Sequence, residues 1–495
     1  MADSHAKQEI QNLVNGYEVV IGLEVHAQIS SKAKLFSGSS TEFGSEPNHN
    51  VDFVDSAMPG MLPVLNQYCV DQAIKTGFGV AGTIHRRSVF DRKNYFYPDL
   101  PQGYQITQLY HPIITDGKIE ISLPDGSQKT INIDRIHIEQ DAGKSVHTLE
   151  QDKTYIDLNR AGIALMEIVS KPDMRSSTEA MLYIKKLRTI LKYVKTCDCN
   201  MEQGNFRVDA NVSVHKPGEP FGTRCEIKNL NSVRFVGQAI DYEIQRQISA
   251  IESGEKITQD TLLFDEATCT TRRMRSKEDS ADYRYFPDPD LKPLILTEDR
   301  ISKIKDTMPE LPDAKKERFV KDYGITEYDA DILTEDIDTA DIYEATVSAS
   351  KYDIAKSGKQ VANWFLGDLF AYIKKANISI DALPFPITNI AKIVDLTLDD
   401  VISISSAKKL FADMVETNQE PDEIVKRLKL AQITDISTIE QAASEVLNQN
   451  PTQVEQYKSG KEQLFGFFVG MTMKKLGGAG NPGIINEVLK KKLSS

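Results

Sequence analysis

Short segments in which apolar residues alternate with polar or charged ones fill the chain between residue 17 and about residue 295. A period of two is typical of β-strands with one buried face and one polar face. Gly, Pro, Asn and Asp separate the segments, which span residues 17–29, 118–139, 155–157, 206–214 and 224–230. Two helices are predicted among them, one capped at Ser177 or Thr178 and one from about residue 233 to residue 253, before Gly254. The alternation therefore predicts an α+β region rich in strands.

The composition changes near Pro289, after which helix-forming and helix-capping residues dominate. Residues 301–350 hold 13 acidic and 6 basic side chains, and Trp364 lies in the continuation of this acidic helical region. A break at residues 418–421 precedes a region of short helices, whose last part from residue 451 has 7 lysines and 3 glutamates. We therefore predict a leader at residues 1–16, a mixed domain at 17–297, an all-α helical domain at 298–420 and a small all-α tail domain at 421–495.

Composition argues against several classes of protein. A net charge of −13 does not favour a protein that coats nucleic acid through bulk charge, although it leaves room for a local basic patch. Five cysteines without a regular spacing indicate a reducing compartment, and Cys197 and Cys199 lack the second pair that tetrahedral zinc needs. No apolar run approaches the length of a membrane span, and residues 1–16 have the features of neither a signal nor a transit peptide. We expect a cytoplasmic protein that binds no membrane.

Carboxylates lie on the polar faces of the predicted strands. Period-two geometry places Glu24 and His26 together on one face of their strand, and it gives Asp209 and Glu226 the polar faces of two others. If these strands and the strand of Glu139 belong to one sheet, the five side chains can converge. A hard divalent cation would then offset the repulsion among the carboxylates, and ligation rich in oxygen suits magnesium better than zinc. The alternative is a set of half-solvated strands whose polar faces simply meet water.

The strand that carries Glu139 changes phase along its length. Ile136 and Ile138 do not continue the alternation of Ile131 and Ile133. This slip predicts a β-bulge or a strand boundary near position 134.

Magnesium in proteins usually accompanies phosphates, which points to nucleotide chemistry. The glycine-rich residues 477–483 lack the GK[ST] of a P-loop and follow no strand, so we predict a turn or a helix entry there. The sequence contains no recognisable GxSxG, HExxH or dinucleotide-binding fingerprint, and the serines at 37, 39 and 40 lack a recognisable base. These observations favour electrostatic phosphoryl chemistry without a covalent nucleophile from the chain itself.

Two stretches interleave basic and aromatic residues, at 90–101 and at 272–277 followed by 283–288. Guanidinium groups suit phosphates, and exposed rings suit unpaired bases such as a tRNA acceptor end. Arg273 and Arg275 are therefore candidate substrate-binding residues. The alternative is that each stretch is an ordinary proline-rich loop held by salt bridges.

Several segments of the mixed region occur in an order that is characteristic of one family. They are residues 20–26 (VIGLEVH), 58–66 (MPGMLPVLN), 90–108 (FDRKNYFYPDLPQGYQITQ), 138–145 (IEQDAGKS), 157–173 (DLNRAGIALMEIVSKPD), 207–213 (RVDANVS), 226–232 (EIKNLNS) and 274–291 (MRSKEDSADYRYFPDPDL). Together with residues 480–493 of the tail, they make the chain resemble the B subunits of the bacterial and organellar glutamyl/aspartyl-tRNA amidotransferase, the GatB/GatE family. Ala164, where the family commonly has proline, and residues 270–273 depart from its pattern.

The resemblance implies a cradle domain related in fold to glutamine synthetase, with a mostly antiparallel sheet, then an all-α helical domain and a small all-α tail that binds tRNA. It also implies a reaction in which ATP phosphorylates the side-chain carboxylate of Glu-tRNA(Gln), with Asp-tRNA(Asn) as a second candidate, and ammonia then displaces phosphate. The ammonia comes through a tunnel from the glutaminase (amidase) partner, the A subunit, in a heterotrimer that also contains a small C subunit.

The resemblance also assigns residues. The family's magnesium ligands fall on Glu24, His26, Glu139, Asp209 and Glu226. Lys93 matches a residue of the ammonia path near Glu139, so both are catalytic candidates, and Asn159 and Arg160 are further substrate-binding candidates. Two other functions remain open, a non-catalytic scaffold that binds tRNA and an independent metal-dependent hydrolase.

Overall fold

The computed structural model describes residues 13–150, 152–276 and 282–494, and the side chains of Arg275 and Ser276 lie outside the described part. Residues 1–12 of the predicted leader and residues 277–281 of the second basic-aromatic stretch also lie outside the described residues. The chain divides into two compact units, residues 1–311 and residues 312–495. The finer division at residues 297 and 420 stays a prediction.

A large mixed sheet organises the first unit. In chain order, the strands of the described residues are β1 Leu13–Val14, β2 Tyr17–Gln28, β3 Thr83–Ile84, β4 Arg87–Ser88, β5 Asp91–Asn94, β6 Tyr104–Thr107, β7 Ile114–Ser122, β8 Gln128–Gln140, β9 Lys144–Val146, β10 Tyr155–Asp157, β11 Ala164–Ser170, β12 Phe206–His215, β13 Cys225–Leu230, β14 Asp260–Asp265, β15 Thr270–Ser276, β16 Phe286–Pro287 and β17 Leu294–Ile295. Ten of them form the large sheet, in the order β15-β14-β13-β12-β2-β11-β8-β7-β3 with β1 paired to β2. Its neighbours are antiparallel apart from β13 and β14. The predicted mostly antiparallel sheet is confirmed.

Helices cover one face of this sheet. They include α1 Gln67–Gly79, α2 Ser177–Tyr193 and α3 Val233–Glu252, and the first unit also contains α4 Glu298–Asp306. α2 packs against β7, and α3 packs against β12 and against α2. Gly237 permits close contact between the two helices, because a Cβ there would lie 2.7 Å from the Sδ atom of Met181. The apolar strand residues point towards these helices, so the polar strand residues occupy the opposite face.

The helix predictions are confirmed with one shift. The N-cap of α3 is Ser232 and Gly254 follows its end with a positive φ, as expected from the sequence. The N-cap of α2 is Ser176, one residue earlier than the predicted cap. α1 was not predicted.

The second unit is helical in its described residues. Its helices are α5 Pro312–Tyr323, α6 Glu327–Thr334, α7 Ile337–Ala349, α8 Ile354–Trp364, α9 Phe370–Ala376, α10 Thr388–Leu398, α11 Ile404–Thr417, α12 Pro421–Leu428, α13 Ile436–Gln449, α14 Pro451–Lys458, α15 Leu464–Lys475 and α16 Pro482–Ser494, with a π-helical turn Phe365–Leu369 and a 3₁₀ turn Ile380–Ala382. One apolar core draws on residues 319–430, and a second draws on residues 439–493. Gly477 and Gly478 have positive φ angles just before α16, which confirms the predicted turn. None of the helices in the described ranges combines the length and apolar character that a membrane span requires.

Candidate active site

A row of polar side chains crosses the face of the large sheet that the helices leave uncovered. It runs over five adjacent strands, β13, β12, β2, β11 and β8. In chain order the row contains Glu24, His26, His137, Glu139, Glu167, Asp209 and Glu226. The four carboxylate-bearing strands named from the sequence belong to one sheet, which was the condition for their polar side chains to converge.

Strand register brings the members of the row side by side. Asp209 of β12 lies directly opposite Glu24 of β2. On the other side of β2, Glu167 of β11 lies opposite His26, and it also lies opposite His137 of β8. Residues directly opposite each other in a sheet share a face, so the ladder itself fixes these contacts.

The ligand atoms of the row form three overlapping groups, in each of which they all lie within 4.8 Å of one another. One group holds Glu24, Asp209 and Glu226, a second holds Glu24, His26 and Glu167, and a third holds His137, Glu139 and Glu167. Each of the five predicted metal ligands therefore belongs to at least one group of three side chains that could hold a cation together. Cys197 and Cys199 belong to none of these groups of described residues, and both thiols are buried.

Two β-bulges, one in each outer strand of the row, determine which side chains of those strands face the uncovered side of the sheet. On β8, Arg135 lies opposite Val169 and Ile133 lies opposite Ser170, so Asp134 is the extra residue. The bulge predicted near position 134 is confirmed, and it turns His137 and Glu139 to the open face. On β13, the register shifts between Ile227 and Leu230, where Asn229 has a φ of 68°.

Acidic and basic groups hold each other in their charged forms near the centre of the row. The Nε2 atom of His26 lies 3.5 Å from Glu167 and 3.7 Å from Glu139. Burial lowers the pKa of His26, but the hydrogen bond with Glu167 and the attraction of Glu139 outweigh burial and raise the pKa to about 9.

His137 and Glu167 behave in the same way. The Nε2 atom of His137 lies 3.5 Å from Glu167 and 3.6 Å from Glu139. Burial lowers the pKa of His137, but the attraction of Glu167 outweighs burial and the pKa rises to about 9. Burial raises the pKa of Glu167, but the two imidazoles bring it well below its usual range. Glu24 differs, because burial and repulsion from Glu167 raise its pKa to about 7. A cation near Glu24 would favour the carboxylate over the acid.

Lys93 of β5 lies beside the row, within a cluster of aromatic rings. Its Nζ atom lies 5.0 Å from the ring centre of Tyr283 and 5.8 Å from that of Tyr95. Burial lowers its pKa, but the attraction of Glu139 outweighs burial and raises it. Glu139 is itself buried and accepts a hydrogen bond from Thr107 at 3.2 Å. The ammonium group of Lys93 thus lies close enough to Glu139 to be stabilised by its charge.

Two further cations face the row. Lys228 Nζ lies 2.5 Å from Asp209 Oδ2 and 3.0 Å from Glu226 Oε1. Arg207, opposite His26 in the ladder, donates to Asp141 at 3.0 Å. The site therefore combines a dense group of carboxylates with cations suited to phosphate oxygens.

Two of the predicted substrate-binding residues, Asn159 and Arg160, donate hydrogen bonds to backbone oxygens of the chain itself. Asn159 Nδ2 donates to the backbone oxygens of Ser45 and Glu46, and Arg160 donates to those of Ala142 and Gly143.

Arg273 lies on the edge strand β15 of the large sheet and is paired with Asp260 at 3.1 Å. Arg275 lies on the same strand, and its side chain is outside the described part of the structure. Arg273 does not belong to the polar row.

Sequence reasoning missed Glu167 and His137 as members of the site. Glu167 lies in the middle of an otherwise apolar strand, where a lone carboxylate is the one available signal. His137 alternates with Glu139 on the strand whose phase slip the sequence revealed, so the signal for it was present.

Comparisons with known proteins identify similar chains. Residues 19–302 match the family model described as the GatB/GatE catalytic domain, and residues 341–493 match one described as a GatB domain. The chain is 53% identical over 489 residues to the B subunit of the aspartyl/glutamyl-tRNA(Asn/Gln) amidotransferase of Zymomonas mobilis, covering 99% of this chain and 100% of that protein. The proteins of the same name from Granulibacter bethesdensis and Rickettsia bellii are each 52% identical, covering 98% and 97% of this chain and 99% and 98% of theirs.

Proposed function

The chain belongs to the GatB/GatE family, and we propose that it is the B subunit of an aspartyl/glutamyl-tRNA amidotransferase. Its reaction is the ATP-dependent amidation of the side-chain carboxylate of Glu-tRNA(Gln), with Asp-tRNA(Asn) as the second substrate of the relatives' name. The observation that carries this proposal is the convergence of the carboxylates and imidazoles on one sheet face, beside Lys93. The relatives' names favour an enzyme subunit over a non-catalytic scaffold that binds tRNA.

The donor set fits magnesium at one end of the row. Glu24, Asp209 and Glu226 offer oxygen atoms alone, within 4.8 Å of one another. That spacing suits ligands at about 2.1 Å from a shared ion. Glu139, Glu167, His26 and His137 surround the neighbouring position, where an imidazole would bind an ion only after losing its proton. When bound, magnesium would neutralise charge on phosphate oxygens.

The chemistry requires two steps on the aminoacyl side chain. A carboxylate oxygen of the substrate attacks the γ-phosphorus of ATP, and ADP leaves. Ammonia then attacks the acyl carbon of the resulting acyl phosphate, inorganic phosphate leaves, and one proton is lost. The chain must hold two anions together in the first step and accept a proton in the second.

Lys93 and Glu139 are suited to these tasks. Lys93 keeps its charge because Glu139 raises its pKa, so its ammonium group can bind an oxygen of the substrate carboxylate or of the phosphoryl group. Glu139, buried and fixed by Thr107, offers a carboxylate oxygen for the proton that ammonia loses. Both residues act by position, without a covalent bond to the substrate.

We infer the partners and setting from the same chemistry. The sequence has no recognisable glutaminase nucleophile, so ammonia would come from an amidase partner, the A subunit, in a heterotrimer with a small C subunit. We propose that the first unit is the glutamine-synthetase-like cradle and that the basic tail contributes to tRNA binding. A protein that amidates aminoacyl-tRNA works where tRNA is charged, which favours the cytoplasm.

The test is an assay of the complex assembled with candidate amidase and small partner subunits. We expect ATP hydrolysis and amide formation that require Glu-tRNA(Gln) and are supported by either glutamine or ammonium. If the chain were a scaffold, Asp209→Asn would leave both activities intact. If it were an independent hydrolase, ATP turnover would need neither tRNA nor partners.

A further inference from the structure

Lys228 occupies the space between two carboxylates of the row. Its Nζ atom lies 2.5 Å from Asp209 Oδ2 and 3.0 Å from Glu226 Oε1, and it donates a hydrogen bond to Asp209. Lys228 and Glu226 are two positions apart on β13 and share its polar face, so the strand itself presents the ammonium group to its own acidic neighbour.

The same two carboxylates belong to the all-oxygen group that includes Glu24. A divalent ion bound by Asp209 and Glu226 would have to lie between their oxygens, where the ammonium group of Lys228 lies. Two cations cannot share that space, because both would need the same lone pairs and would repel each other at a few ångströms. The ion and the ammonium group therefore compete for Asp209 and Glu226.

The surroundings allow Lys228 to leave without disturbing the carboxylates. Its side chain is 32% exposed and flexible, so it can rotate away without unpacking the core. Thr261 donates to the other oxygen of Glu226 at 3.1 Å, which holds that carboxylate in place. Asp209 is fixed by its position opposite Glu24 in the antiparallel ladder.

We propose that Lys228 is a positioning residue that exchanges with a divalent cation: it pairs with Asp209 and Glu226 until the ion binds, and is then released to the phosphate oxygens of the nucleotide. This inference rests on the proposed function, because it takes the ion to be the one held by Glu24, Asp209 and Glu226. The exchange makes the acidic site stable before the ion arrives and adds a free cation when the nucleotide is in place.

The experiment measures the reactivity of individual lysines in the full chain. Reductive methylation followed by peptide mass spectrometry gives the labelling rate of Lys228 with and without Mg²⁺. We expect Mg²⁺ to increase that rate several-fold, because release from the two carboxylates exposes the amine to the reagent. Lys303, a surface lysine paired with Asp299 outside the site, serves as the control whose rate stays constant.

A second measurement ties the effect to the site. Glu24→Gln removes a ligand of the proposed ion, so it should abolish the response of Lys228 labelling to Mg²⁺. Mn²⁺ binding, followed by electron paramagnetic resonance, should tighten several-fold in Lys228→Met, which lacks the competing amine. Lys118→Met, an exposed change on β7 of the same sheet, should leave it unchanged.

The outcomes separate this inference from the metal assignment. If Mn²⁺ binds with a stoichiometry that Glu24→Gln reduces, but Mg²⁺ leaves the labelling of Lys228 constant or slows it, the exchange is wrong and the metal site stands. If Mn²⁺ does not bind to the wild-type chain or to its complex, the metal assignment fails and the exchange fails with it.

Discussion

Asp209 lies directly opposite Glu24 across the antiparallel pair of β12 and β2, so two carboxylates share one sheet face by virtue of backbone register alone. Such a pair is unfavourable unless a cation lies nearby. Lys228 provides one such charge on the Asp209 side, and His26 lies 3.7 Å from Glu24 on the other. The charge on this face of the sheet therefore favours cations over anions.

Asp209→Asn should lower amide formation by the assembled complex at least about 100-fold, since it removes a preorganised charge from a site that works by electrostatics. The change is nearly isosteric, so assembly with the partner proteins, measured by gel filtration, should be normal. Asp134→Asn, the same substitution at the exposed bulge of β8, is the matched control. Equal activity of the two variants would show that Asp209 does not contribute to the active site.

Glu167→Gln should lower the pKa of both His26 and His137 from about 9 towards their ordinary value of 6.5. The reason is that Glu167 lies 3.5 Å from each imidazole and supplies much of the attraction that keeps it protonated. Titration of the histidine ring C–H resonances by NMR in metal-free buffer measures both values. Glu120→Gln, on the exposed face of β7, should change neither. If both histidine pKa values stayed near 9 in Glu167→Gln, the carboxylate of Glu167 would not lie between the two imidazole rings.

Glu344→Gln should destabilise the second unit by about 1 kcal/mol at neutral pH, a modest value because the ion pairs are partly exposed. Burial raises the pKa of Glu344, but hydrogen bonds from Arg318 and Lys315 outweigh burial and lower it. A lowered folded pKa contributes stability above the usual value of 4.5, and the contribution is lost as pH falls through the folded pKa.

Urea unfolding followed by the fluorescence of Trp364 measures the effect of Glu344→Gln, because the only tryptophan is buried in the second unit. The difference from wild type should shrink as the pH is lowered. Glu317→Gln, at an exposed position of α5, controls for the loss of one negative charge. If the difference in the free energy of unfolding between the two proteins grew at acid pH, the lowered pKa of Glu344 in the folded state would be contradicted.

Lys34→Met should destabilise the first unit by about 3–5 kcal/mol, since it leaves a buried carboxylate without its cation. Lys34 Nζ is fully buried and contacts Asp55 Oδ2 at 2.9 Å and the backbone oxygen of Asn50 at 2.7 Å. The double variant Lys34→Met/Asp55→Asn should recover part of the loss. Hydrogen exchange of peptides from β2 and α1, read by mass spectrometry, follows the first unit alone. A single variant as stable as wild type would show that the pair is dispensable.

Sequence periodicity predicted the polar faces of β2, β12 and β13 well, because each strand has one apolar face against the helices and one polar face. Glu24, Asp209 and Glu226 could therefore each be placed on the polar face of a strand from the alternation of residue types alone. Glu167 could not, because β11 is a central strand whose residues are buried on both faces and the alternation disappears. Which strands are neighbours also depends on long-range pairing that local patterns do not encode.

Helix α1 was missed for a related reason. Its two glycines, Gly77 and Gly79, lower helix propensity, yet the helix is stabilised by packing. A Cβ on Gly77 would lie 3.0 Å from Ile114, and one on Gly79 would lie 2.8 Å from Ile190. The glycines therefore serve close packing against the sheet and α2, a tertiary requirement that overrides local preference.

Because of the bulge at Asp134, the number of residues in β8 determines which of its side chains join the polar row. Without the extra residue, the alternation set by Ile131 and Ile133 would continue, and His137 and Glu139 would point at the helices while Ile136 and Ile138 faced the open side of the sheet. Deleting one residue there should exchange polar and apolar side chains over half the strand, and we expect it to disrupt both the polar row and the packing against the helices. A one-residue deletion in the turn at residues 123–127 lies outside β8 and leaves the alternation within that strand unchanged, so we expect it to disturb the polar row less than a deletion at Asp134 does.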